Sequence, residues 1–120
     1  MKRVRVFFCS GCGDPFAESR FKACSFFQFL REHGVQVEAC CWGGDLESIP
    51  TDTPVIVVAS VMMKCSLRAL AQRCAELGHL ACRDDQLVLM SGSYPWHFLV
   101  DAANKFLEKI PDSPDPVLAL

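Results

Sequence analysis

The 120-residue chain lacks a long hydrophobic run, a dominant charge and any low-complexity segment. No window approaches the roughly 20 apolar residues that cross a bilayer, so we expect no membrane span. The apolar run near the amino terminus, Val6–Cys9, is shorter than the about 7–15 residues of an export signal, which predicts a cytoplasmic location. The 12 Lys and Arg are scattered and the formal charge is -2, which argues against a nucleic-acid-binding surface.

Cysteine is what the chain has in excess, with eight residues at positions 9, 12, 24, 40, 41, 65, 74 and 82. Without an export signal we expect these thiols to be reduced. Those on predicted apolar faces are expected to behave as small hydrophobes. Paired zinc knuckles need two Cys-x2-4-Cys units, and only Cys9-Ser-Gly-Cys12 has that spacing. We therefore predict no metal site.

Hydrophobic periodicity predicts a chain of alternating strands and helices. The predicted strands are Val4–Cys9, Val35–Ala39, Pro54–Ala59 and His79–Cys82, and the predicted helices are Ala17–His33, Leu67–Leu77 and Pro95–Ile110. Trp42–Thr53 is predicted to be a connection with one helical turn. Such alternation predicts a single three-layer Rossmann-like or flavodoxin-like α/β domain over residues 1–110. Its open parallel sheet has about four strands with helices on both faces, and residues 111–120 form an irregular tail.

The helical spacing also predicts which side chains face the core. For the three helices these are Ala23, Phe26, Phe27 and Leu30; Leu67, Leu70, Ala71, Cys74 and Leu77; and Leu99, Ala102, Ala103, Phe106 and Ile110. Ser66 is expected to cap the second helix and Gly78 to end it.

In open parallel sheets, ligands bind at the carboxyl ends of the strands. That rule selects the loop from Cys9 to Arg20, the segment from Ser60 to Ser66, and the Asp84-Asp85 pair. An arginine there offers a permanently charged fork for a carboxylate or phosphate, and the two aspartates can accept hydrogen bonds from sugar hydroxyls. A structural salt bridge between Arg20 and an aspartate is the alternative. The candidate ligand-binding residues are Gly11, Gly13, Ser19, Arg20, Asp84 and Asp85.

Cys9 and Cys12 offer a different reading of the same loop. A thiolate near a helix amino terminus is stabilised and becomes more nucleophilic, which would suit redox or metal chemistry. The helix is predicted to begin near Ala17, however, and not at the second cysteine. A buried strand end at Cys9 and a small turn residue at Cys12 remain the structural alternative.

The order strand, cysteine loop, helix, strand, strand, helix, strand, helix resembles the sugar-phosphotransferase IIB domains. Those domains carry a cysteine at the end of the first strand, followed by a loop whose backbone N–H groups hold a phosphoryl group. The resemblance implies that Cys9 is a phosphocysteine carrier. The loop SGCGDPFAES departs from that pattern, because Asp14 and Pro15 stand where hydroxyls and donors are wanted and a carboxylate repels phosphate.

The stretches GDPFAESRFKACSFFQFLREHGVQVEA and PVIVVASVMMKCSLRALAQRCAELGHLACRDDQLVL resemble the acceptor-side, amino-terminal half of retaining GT-B glycosyltransferases. The resemblance covers roughly residues 4–90, and Ser19-Arg20 and Asp84-Asp85 are its best points. It implies binding of a small polar ligand or of a nucleotide-sugar-binding partner subunit, with no resident cofactor. Transfer needs donor and acceptor fixed in one closed cleft, so the chain alone is expected to be inactive as a transferase.

Overall fold

The fold is a four-stranded parallel sheet flanked by helices, seen in a computed structural model that describes residues 2–8, 25–59, 63–83 and 97–112. The strand order is β2-β1-β3-β4 and every pairing is parallel. The strands are β1 (Lys2–Phe8), β2 (Val35–Cys41), β3 (Ile56–Ala59) and β4 (Leu80–Arg83), and the helices are α1 (Ser25–Glu32), α2 (Leu67–Leu77) and α3 (His97–Glu108). The predicted open parallel α/β architecture of Rossmann-like or flavodoxin-like type is confirmed.

β3 lies between β1 and β4, and all four of its residues are buried. Its unbroken Ile-Val-Val-Ala sequence is typical of a parallel strand that is covered on both faces. The prediction that Pro54–Ala59 forms the central strand is therefore confirmed, with the strand itself beginning at Ile56.

Two separate apolar cores lie on the two faces of the sheet. On the first face, α1 and α3 pack against alternate strand residues through Phe26, Leu30, Ala103, Phe106, Leu107 and Ile110. On the second face, α2 and a 3-10 turn at Leu46–Ser48 pack against the sheet through Leu70, Cys74, Trp42, Ile49 and their neighbours. Helices on both faces thus agree with the three-layer prediction.

The ends of α2 follow the sequence signals. The Ser66 hydroxyl accepts a hydrogen bond from the N–H of Ala69 at 3.1 Å, so it caps the helix. Gly78 ends the helix in the left-handed region at a φ of 78°. Gly34 follows α1 with a φ of 72°, as expected for a residue that ends a helix.

Three predictions of inward-facing side chains were wrong, because each residue lies at the margin of its apolar arc. Leu67 and Ala71 on α2 are exposed, whereas Leu70 and Cys74 are buried. At about 100° per residue, Ala71 is a quarter turn from Leu70. Ala102 on α3 is likewise exposed beside the buried Ala103, and Leu107, which the spacing did not select, is buried instead.

The connection from β2 to β3 leaves part of the sheet uncovered. It contains one 3-10 turn, Leu46–Ser48, where a longer helix would cover β1 and β2 on the second face. Along the amino-terminal part of the two strands, the side chains on this side are polar and exposed or only half-buried: Arg3, Arg5, Gln36 and Glu38. Nearer the carboxyl end of β1, Phe7 packs against the second core. In this half, the described part of the sheet has two layers rather than three.

Candidate functional site

The carboxyl edge of the sheet contains a switch point between β1 and β3. The chain leaves β1 for α1 on the first face, and it leaves β3 for α2 on the second face. Where neighbouring parallel strands send their connections to opposite faces, a crevice opens at their carboxyl ends, and ligands of open α/β sheets bind there. Phe8 and Ala59 are the last residues of the two strands at this point.

All eight candidate residues for this edge lie outside the described residues. The described strands end immediately before two of them in the chain, since β1 ends at Phe8 and β4 ends at Arg83. With strands about 4.8 Å apart and only β3 between, the ends of β1 and β4 are separated by roughly 10 Å. The eight residues are Cys9, Gly11, Cys12, Gly13, Ser19, Arg20, Asp84 and Asp85.

The turn after β2 forms one described wall of this edge. The Trp42 N–H donates to the carbonyl of Phe8 at 3.1 Å, so the turn begins beside the end of β1. The buried indole of Trp42 donates from Nε1 to the carbonyl of Asp45 at 2.9 Å, which closes the turn on itself. Gly44 has a φ of 90°, which only glycine adopts without strain.

Asp45 is a charged group on this wall. The Ser48 hydroxyl donates to Asp45 Oδ1 and holds the pKa of that carboxyl below its usual range, and the Lys64 ammonium adds to the effect. The N–H of Lys64 also donates to the carbonyl of Gly44 at 2.8 Å. This hydrogen bond ties the turn after β2 to the segment that leads from β3 into α2, and Ser66 starts that helix at the same edge.

The vicinal thiols of Cys40 and Cys41 do not form a chelating pair. They are consecutive residues of β2, so their side chains point to opposite faces of the sheet. Burial, together with the nearby Glu38 carboxylate, raises the pKa of the Cys40 thiol and reduces its nucleophilicity. Among the described ranges there is no group of three or more His, Cys, Asp or Glu side chains that would hold a metal ion.

Cys74 and Cys82 are buried in the two cores, as predicted for cysteines on apolar faces. Burial, with a smaller contribution from Cys65, raises the pKa of Cys74 to about 11. This thiol is therefore a packing group and not a nucleophile.

A cavity of about 550 Å³ lies at the opposite, amino-terminal edge of the sheet, where the sequence analysis predicts no site. Its lining residues are Arg3, Val4, Arg5, Gln36, Val37, Glu38, Thr53, Pro54, Ile110 and Pro111. The sequence does carry a signal for it. Arg3 and Arg5 alternate with valines in β1, as Gln36 and Glu38 do in β2, and polar positions of period two predict a face without a covering helix.

No protein-family model, curated protein or solved structure matches the chain. Within the described ranges, none of the helices combines the length and the apolar character needed to span a membrane.

Proposed function

We propose that the chain binds a small polar ligand at the carboxyl ends of β1, β3 and β4, as the acceptor-side half of a GT-B glycosyltransferase would. The observation that carries the proposal is the strand order with its switch point between β1 and β3. In such sheets the crevice at the switch point is where ligands bind. The sequence segments that carry Arg20 and the Asp84-Asp85 pair begin directly after Phe8 at the end of β1 and Arg83 at the end of β4.

The residue types in these two segments suit a ligand with an anionic group and several hydroxyls. The guanidinium of Arg20 would bind the anionic group in a bidentate manner, and the carboxylates of Asp84 and Asp85 would accept hydrogen bonds from hydroxyls. The amino terminus of α2, capped by Ser66, adds a favourable dipole for negative charge at this edge.

Catalysis of glycosyl transfer requires a second nucleotide-sugar-binding unit in this proposal. Donor and acceptor must be held together in one cleft from which water is excluded, and one sheet edge supplies a single wall. We therefore expect the isolated 120-residue chain to show no transfer from any nucleotide-sugar. Transfer by the purified chain alone would contradict the requirement for a partner subunit.

Isothermal titration calorimetry with sugars and nucleotide-sugars tests the binding site. Arg20→Ala is expected to weaken binding at least about tenfold, because a hydrogen bond to a charged group contributes about 1.5–3 kcal/mol. The matched control is Arg31→Ala, which removes an exposed arginine from the last turn of α1, at the other end of the sheet, and should leave affinity unchanged. Absence of binding by every sugar, or equal binding by Arg20→Ala, would refute the site.

A second candidate function is a phosphocysteine carrier that uses Cys9. It is favoured by one observation, that β1 ends at Phe8, so Cys9 directly follows the first strand, as in the sugar-phosphotransferase IIB domains that the element order resembles. Mass spectrometry after incubation with a phosphohistidine donor protein would reveal a phosphoryl adduct. The adduct should vanish in Cys9→Ser and persist in Cys12→Ser; loss in both variants would favour a joint thiol or metal role instead.

A further inference from the structure

The cavity at the amino-terminal edge exists because β1 extends beyond its partner. β1 begins at Lys2, but its pairing with β3 begins only at Val6. On that side, the first residues of β1 are flanked by Thr53 and Pro54 from the connection, and by residues 110–111 that follow α3. The cavity of about 550 Å³ falls within the range of about 300–1,000 Å³ that is typical of small-molecule sites.

Arg5 is held in position on one wall of this cavity. Its Nη2 lies 2.9 Å from the hydroxyl oxygen of Thr53 and 3.5 Å from Oδ1 of Asp52, and its guanidinium carbon lies 5.6 Å from the centre of the Phe7 ring. These contacts restrain the side chain before any ligand arrives. A preorganised guanidinium loses little conformational entropy on binding an anion.

Arg3 lies two residues earlier on the same strand face and is exposed. No ion pair or hydrogen bond joins its guanidinium to another of the described residues. Successive side chains on one face of a strand are about 7 Å apart, so the two guanidinium groups can reach one anionic group between them. The chain as a whole carries a formal charge of -2, so the two arginines form a local positive patch on a protein of net negative charge.

The remaining walls give the cavity a mixed character. Pro54 and Pro111 supply apolar surface, and the Lys2 ammonium donates to the carbonyl of Leu107, which fixes the end of α3 beside the start of β1. Glu38 stands opposite Arg5 in the strand register and lines the same space. Its carboxylate disfavours ligands that carry several negative charges.

We propose that this cavity is a binding site for a small organic anion, with the ligand's carboxylate or phosphate group held by Arg3 and Arg5 and its apolar part packed on Pro54 and Pro111. The site is separate from the carboxyl edge at Phe8 and Arg83, since it lies at the opposite ends of the strands. It does not depend on the function proposed for that edge.

The test is a titration of ¹⁵N-labelled protein with benzoate and with phenyl phosphate, which share an apolar ring and differ in the anionic group. Both are expected to shift the amide resonances of Arg3, Arg5, Gln36, Thr53 and Ile110 in a saturable manner. The ligand that binds more tightly identifies which anionic group, carboxylate or phosphate, the site prefers. Inorganic phosphate should bind more weakly than phenyl phosphate, and equal affinity would overturn the role of the apolar wall.

Two charge variants are expected to change the affinity for benzoate in opposite directions. Arg3 is exposed, and Arg3→Gln leaves the contacts of Arg5 in place. The substitution should weaken benzoate binding by about tenfold. Glu38→Gln should strengthen binding about threefold, as expected for removal of one partly solvated like charge. The control Arg68→Gln, on the exposed first turn of α2, should change nothing.

Three results would overturn the proposal. The first is the absence of saturable shifts at these amides with both anions. The second is an affinity in Arg3→Gln equal to that of the wild-type protein. The third is equal binding of the cation benzamidine, which two guanidinium groups should repel.

Discussion

His79 is a buried polar residue that joins two separate parts of the chain. Its Nδ1 accepts the N–H of Val55 at 3.1 Å, and its Nε2 lies 2.6 Å from the carbonyl oxygen of Pro50. The first contact requires Nδ1 to be unprotonated, so the second is a hydrogen bond donated by Nε2–H. The neutral ring therefore satisfies both groups and fixes the connection before β3 to the start of β4.

This arrangement predicts that acid destabilises the fold. Burial lowers the pKa of His79, with smaller contributions of the same sign from Arg73 and Arg5, while the Pro50 carbonyl and Asp52 act in the opposite direction. Because the unfolded chain binds a proton where folded His79 does not, the stabilisation is complete above the unfolded pKa of about 6.5 and is lost as pH falls below it.

Urea denaturation at a series of pH values measures the effect. The free energy of unfolding of the wild-type protein should fall from pH 7 to pH 5. His79→Gln should flatten this dependence, because an amide accepts from Val55 and donates to Pro50 without titrating. An unchanged slope in His79→Gln would refute the explanation.

Single residues differ in how far the sequence predicts them. Ser66 and Gly78 were predicted as the two ends of α2, because capping depends on neighbours within one helical turn. The role of His79 is not predictable in this way, since its partners Pro50 and Val55 lie 29 and 24 residues away. Such a contact appears only when the chain is folded.

At the scale of elements, the carboxyl end of α2 provides a test of backbone conformation. Gly78 has a φ of 78°, and a Cβ added there would meet only the Lys109 side chain, at 3.9 Å. Gly78→Ala should therefore lower the free energy of unfolding by about 1 kcal/mol through backbone strain alone.

Gly43→Ala is the matched control for that measurement. Gly43 does not have a positive φ, and an added Cβ would lie at an ordinary 3.8 Å from the Asp45 and Ser48 side chains. The substitution should leave thermal stability close to that of the wild-type protein. A loss in Gly43→Ala equal to that in Gly78→Ala would mean that the conformation of Gly78 is not the cause.

The order and type of the elements were predictable because each strand and helix has its own apolar period. The burial of side chains at the margins of the helix faces was not predictable. By spacing, Leu67 and Ala102 belong to the apolar arcs of α2 and α3, but the sheet covers only the centre of each arc. The length of the β2–β3 connection was visible in the sequence of residues 42–55. The uncovered face of β1 and β2 is signalled only by their alternating polar residues, and the pairing of these two strands does not follow from local pattern.

At the scale of the whole molecule, the sheet order predicts a gradient of protection. β3 is paired on both sides and covered on both faces, whereas β2 is an edge strand with one paired neighbour and an exposed polar face. In native-state hydrogen exchange measured by mass spectrometry, the amides of β3 should therefore exchange most slowly and those of β2 faster. Protection of β2 equal to that of β3 would contradict this gradient.

The positions of the candidate sites were predictable to different extents. A parallel sheet implies a carboxyl edge that can bind ligands, and the sequence was enough to assign loops to it. The cavity at the amino edge depends on the offset between β1 and β3 and on the position of Ile110 after α3. Neither the strand offset nor the position of Ile110 follows from the pattern of neighbouring residues in the sequence.

The hydrogen bond from Lys64 to Gly44 has a mechanical consequence for the carboxyl edge. It joins two chain segments through main-chain atoms, so truncation of the Lys64 side chain leaves it in place. Proline at 64 would remove the donor, and any side chain at Gly44 would strain the φ of 90° that presents the acceptor. A ligand that displaced one of these segments would displace the other as well. We therefore expect the turn after β2 and the segment before α2 to move together when the crevice changes shape.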